Sequence, residues 1–178
     1  MSLQTGGRLA ETDRPVIDPG QLKVVAYVLR GPLLTKNPSL LRTADIREMG
    51  RLGMIIDSDD ELIGVDEVIK IEKLYKLNFP LVGMAVVDDT RHKLGKVEDY
   101  TVDTDSFVIQ QLSVRRGIFR GITETSLLVH RSQVLEINDK AIIVKSARKQ
   151  RSEPIVESIR EEFVNPFRKP AAQPEPEG

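Results

Sequence analysis

Gly83-Met84-Ala85-Val86-Val87-Asp88-Asp89 runs, after three residues, into Lys93-Leu94-Gly95-Lys96-Val97-Glu98-Asp99. The apolar stretch from Leu81 to Val87 has the length of a strand and is far too short to span a bilayer. Asp88-Asp89-Thr90 supplies residues that tolerate tight backbone, so two strands joined by a turn are expected, with His92 in the connection. Side chains alternate across a strand, so neither Asp88-Asp89 nor Glu98-Asp99 converges on one substrate.

The pattern recurs upstream with a shift of about 85 residues. Arg8-Leu9-Ala10-Glu11 overlies Lys93-Leu94-Gly95-Lys96, and Val16-Ile17-Asp18 overlies Thr101-Val102-Asp103. Apolar runs follow at Lys23–Leu29 and Phe107–Val114. Ser39-Leu40-Leu41 matches Ser126-Leu127-Leu128, and the stretch from Ile46 to Ile56 matches that from Val134 to Val144. Turn clusters, among them Asp18-Pro19-Gly20, Gly50-Arg51-Leu52-Gly53 and Asn138-Asp139-Lys140, separate the runs at the spacing of a small all-β fold. Each copy is too short to bury more than a modest core, so pairing of the two is expected.

Residues 1–62 are thus read as a first, divergent copy, 63–80 as a linker helix, 81–146 as a second copy and 147–178 as a tail. Ser58-Asp59-Asp60-Glu61 has the form of a capping box, and Val65, Val68, Ile69 and Leu74 keep helical spacing before Asn78 and Pro80 end it. In the tail, Ile155, Ile159 and Phe163 predict a short amphipathic helix over 152–163, followed by a proline-rich segment expected to be disordered.

The run Gly83–Asp89, the motif Lys93–Asp99, Asp103, the strand through Ile109 and Val114, and Leu127–Val134 closing on Ile142-Ile143-Val144 together resemble the PRC-barrel domain family. The first copy matches less well: Ala10 stands in place of the glycine after leucine, and the opening strand before Gly6 is nearly missing. The resemblance implies an all-β fold of two small PRC-type β-barrels in tandem, used for docking. The family includes the cytoplasmic domain of the photosynthetic reaction centre H subunit, which has a transmembrane helix that this chain lacks. It also includes the carboxy-terminal domain of the ribosome maturation factor RimM, which follows a different barrel.

No catalytic residue, cofactor site or metal site is expected. Without cysteine, thiolate chemistry and cysteine-ligated metals are excluded. A calcium loop opening at Asp57 would need glycine sixth and glutamate twelfth, where Leu62 and Val68 stand. His92 and His130 have no partner at triad or zinc spacing. The residues expected to bind a partner are Arg115, Arg116, Ile118, Phe119 and Arg120, which place apolar side chains among guanidinium groups in one loop. Lys and Arg total 26 against 27 Asp and Glu, and the balance holds locally, with 8 basic and 9 acidic residues in 1–62 and 9 of each in 83–146. A protein partner is therefore the leading expectation. RNA or the ribosome is the alternative, and association of two copies is open. The amino terminus has no basic region leading into an apolar core, so a cytoplasmic adaptor without membrane insertion is expected.

Overall fold

A computed structural model describes residues 1–116 and 126–146. The expected loop residues Ile118, Phe119 and Arg120 and the helix over 152–163 lie outside the described residues. Within residues 1–68 the strands are β1 (Glu11–Asp18), β2 (Lys23–Arg30), β3 (Ser39–Arg42), β4 (Glu48–Gly50), β5 (Gly53–Ile55) and β6 (Leu62–Gly64). Helix α1 (Ile69–Leu77) leads to β7 (Ala85–Asp88), β8 (Lys93–Val102), β9 (Ile109–Arg115), β10 (Ser126–His130), β11 (Val134–Ile137) and β12 (Ala141–Val144). The first half forms a sheet in the order β1-β2-β3-β6 with a separate β4-β5 hairpin, and the second forms one sheet ordered β10-β9-β8-β7-β12-β11. The protein is mostly β, as read from the sequence, and no sheet closes on itself among the described residues.

The two halves repeat one another's irregularities. The β1-β2 pairing slips between Thr12 and Arg14 and between Val16 and Ile17; the β8-β9 pairing slips between Val97 and Asp99 and between Thr101 and Val102. Each slip lies 85 positions from its counterpart. A bulge bends and twists its strand, so a recurring pair gives both hairpins the same curl. Asp18 and Asp103 each fold a turn by accepting from backbone amides, of Gly20 and Gln21 in one case and of Ser106 in the other. Each turn then reaches a buried, non-glycine residue with positive φ, Leu22 (φ 48°) and Phe107 (φ 56°).

Those two residues join the halves. The Val24 amide donates to the Phe107 carbonyl (2.9 Å), and the Ile109 amide donates to the Leu22 carbonyl (2.8 Å). Equivalent residues exchange equivalent bonds about the antiparallel Lys23–Val108 bridge, which is what a local twofold relation requires. Ile17, Leu22 and Val24 from the first half enter the main core with Phe107, Ile109, Leu112 and Val114.

Helix α1 covers only the first sheet, and the sequence says why. Val16, Ala26, Val28 and Leu40 form an apolar outer face against which Ile71 packs, with Val68, Leu74 and Tyr75 beside it. The matching positions in the second half are Thr101, Gln111, Ser113 and Leu128. Leu40 is 0% exposed and Leu128 is 58% exposed. Both sit opposite equivalent residues, Val28 and Ser113, so Leu40 corresponds to Leu128, one residue beyond the sequence match to Leu127. Asn78 ends the helix in the left-handed conformation, its amide donating to the Leu74 and Tyr75 carbonyls.

The helix starts later than its expected cap. Ser58 caps a single 3-10 turn, Asp59–Glu61, by accepting from the Asp60 amide, and Leu62–Gly64 then continues as β6. The exposed edge of β3 captures that segment, pairing Leu40 with Ile63 and Ser39 with Gly64. Its backbone groups are satisfied there without helical bonds.

The β7-β8 turn is tied by buried Asp88, whose Oδ1 accepts from the Thr90 hydroxyl (2.6 Å) and from the amides of Thr90 (2.9 Å) and His92 (2.8 Å). The Thr90 hydroxyl, ahead of those amides and the His92 charge, holds the Asp88 carboxyl below its ordinary range. A depressed folded pKa contributes stability above the unfolded value of about 4, and loses it as pH falls through the lower folded value. Asp88→Asn is therefore expected to flatten the acid dependence of the urea midpoint below about pH 4. Equal slopes for both proteins would contradict this role.

Candidate functional site

Two surfaces compete for a docking role. The first contains the described part of the expected basic loop. Arg115 closes β9 and forms an ion pair with Glu98, which stands at the β8 bulge. The guanidinium hydrogen bond holds the Glu98 carboxyl below its ordinary range. Arg116 follows on the exposed surface. Arg115 is thus engaged within the fold, which weakens it as an anchor for an external phosphate.

The second surface was not expected from the sequence. In the second half, β7 lies between β8 and β12, antiparallel to one and parallel to the other. Met84, just before β7, and Val86 within it pack in the cluster that holds Val114, Val129, Ile142 and Val144. The corresponding floor of the first half is Leu29, Leu41, Met54 and Ile56. There, among the described residues, Ser2 forms a parallel bridge with Ile56, the Ile56 amide donating to the Met1 carbonyl (3.0 Å) and the Leu3 amide to the Ile56 carbonyl (2.9 Å). Buried Ser2 stands where Asp88 stands, and its Oγ likewise accepts from a turn amide, that of Thr5 (3.4 Å).

Beside these residues is a groove with a cavity of about 710 Å³, a size typical of ligand clefts. One wall is Arg8–Thr12 and the other is Met49 with Leu52–Met54; Leu29, Leu41, Ile56 and Leu62 form the floor. Arg8 and Glu11 line it and pair with each other at 2.5 Å, and the Met1 ammonium also lines it, donating to the Met54 carbonyl (2.8 Å). Leu52 at the β4-β5 turn is 73% exposed, Met49 is 41% exposed, and Leu33 on the adjoining loop is 68% exposed. Contiguous exposed apolar side chains around a cleft mark an interaction surface more often than scattered ones do.

Sequence reading missed the groove because Leu29, Leu41 and Ile56 lie far apart along the chain and are brought to one floor only by the fold.

Residues 79–151 match the family model of the PRC-barrel domain. No curated protein matches the chain significantly.

Proposed function

We propose that this chain is a non-enzymatic docking adaptor built from two PRC-type units in tandem, and that the apolar groove of the first unit holds a protein partner. The family match over 79–151 supports an interaction role for the second half. The recurring bulges and the reciprocal Leu22 and Phe107 bonds support extending the unit to residues 1–62. The observation that carries the docking reading is the apolar groove between residues 8–12 and 52–54, with Leu52 and Met49 exposed on its rim. Nothing comparable favours RNA: the charges balance, and Arg115 is paired with Glu98.

Affinity capture with the full chain tests this, comparing the wild type with the doubly substituted Met49→Asp, Leu52→Asp protein and with Arg115→Ala, Arg116→Ala. Met49 in β4 and Leu52 in the turn after it are both exposed, so these substitutions should leave the melting temperature nearly unchanged. They are expected to weaken a salt-resistant protein complex roughly thirtyfold, the size of a hot-spot loss, while the arginine substitutions leave it intact. Loss with the arginine substitutions alone, or a complex dissolved by moderate salt, would overturn the reading.

A further inference from the structure

Resting on that docking role, we infer that Met49 is a reversible oxidation site: a peroxide converts its thioether to a sulfoxide, and the sulfoxide closes the groove to an apolar partner.

The placement of sulfur in this chain carries the argument. The sequence has no cysteine, so its four methionines hold all of the sulfur. Met49 and Met54 pair across the β4-β5 hairpin, which sets both side chains on one face, and both line the groove, as Met1 does. Met49 is exposed on the rim, so an oxidant reaches it without any opening of the fold. Met84, by contrast, is 7% exposed and packed in the main core. The corresponding cross-strand pair of the second half is Ile137 with Ile142. The hairpin therefore needs only apolar side chains at these positions, and methionine adds a reactivity that packing does not require.

The step balances with a peroxide as the one oxidant. A sulfur lone pair attacks one oxygen of hydrogen peroxide, and the S–O bond forms as the O–O bond breaks. Sulfur is oxidised by two electrons; the departing hydroxide takes the proton of the transferred oxygen and leaves as water. A methionine sulfoxide reductase, drawing its electrons from thiols, restores the thioether. In the free chain, water satisfies the new oxygen. Under a docked apolar segment it would face Leu29, Leu41, Ile56 and Leu62, whose side chains donate no hydrogen bond. Oxidation thus penalises the bound state and spares the free one.

The test exposes the full chain to hydrogen peroxide and follows each methionine by peptide mass. Met49 is expected to gain one oxygen at least roughly tenfold faster than Met84, and the two rates should converge in urea, where burial no longer separates them. Oxidised protein should hold the salt-resistant complex roughly tenfold more weakly, and reductase treatment should restore it. The melting temperature should stay nearly unchanged, and the Met49→Leu protein should lose the dependence on peroxide, whatever its own affinity. Comparable rates at Met49 and Met84 in the folded chain, or a peroxide effect that survives Met49→Leu, would overturn the inference. Selective oxidation that leaves the complex intact would overturn the switch while leaving the docking role standing. A wild-type chain that captures nothing would instead overturn the docking role and the switch with it, and the rates alone would then decide the oxidation site.

Discussion

Gly95→Ala is expected to lower the melting temperature by roughly 10 °C, corresponding to about 3 kcal/mol. A Cβ at Gly95 would stand 2.1 Å from the Arg115 carbonyl oxygen, 2.8 Å from its carbonyl carbon and 2.9 Å from a Val114 methyl group. Two of these three neighbours are main chain, so rotating a side chain does not relieve the contact. β8 must move away from β9, straining the Lys96–Arg115 pairing on one side and the Val86–Gly95 pairing on the other. Thermal melting checks the prediction; an unchanged midpoint would mean that the β8-β9 approach is looser than this geometry.

Phe107→Ala should destabilise by about 3–5 kcal/mol, the usual loss for a buried aromatic, and lower the midpoint by roughly 10–15 °C. Phe107 is buried in the main core, its amide donates to the Asp103 carbonyl (2.8 Å), and its carbonyl accepts from Val24 across the junction. Truncation opens a cavity among Ile17, Leu22 and Val24 as well as Ile109 and Leu112, so residues of both halves should melt together and earlier. Residue-resolved melting in which only the second half shifts would show that the halves do not share this core.

Much of the fold was legible because turn chemistry and strand alternation are local. Asp18 and Asp88 announce their turns, and the shift of 85 residues between Lys93 and Arg8 carries through to the bulges. The segment after Ser58 misled because a capping sequence is also what a 3-10 turn uses, and the outcome depended on an open β3 edge far away in sequence. The basic loop was conspicuous for its residue types, yet Arg115 turned out to be paired with Glu98 across strands. The groove was harder to see for the opposite reason. It is made by segments distant in sequence, and Leu29, Leu41, Met54 and Ile56 read one by one as ordinary core.

Amide hydrogen exchange at two pairs of equivalent residues tests the central claim most directly: Met54 against Ile142, and Thr12 against Val97. Ile142 and Val97 are bonded within a complete sheet, so they should exchange at least roughly a thousandfold more slowly than Met54 and Thr12, which face the open groove. Equal protection within each pair would contradict the account, because it would mean that the walls of the groove are not open to a partner.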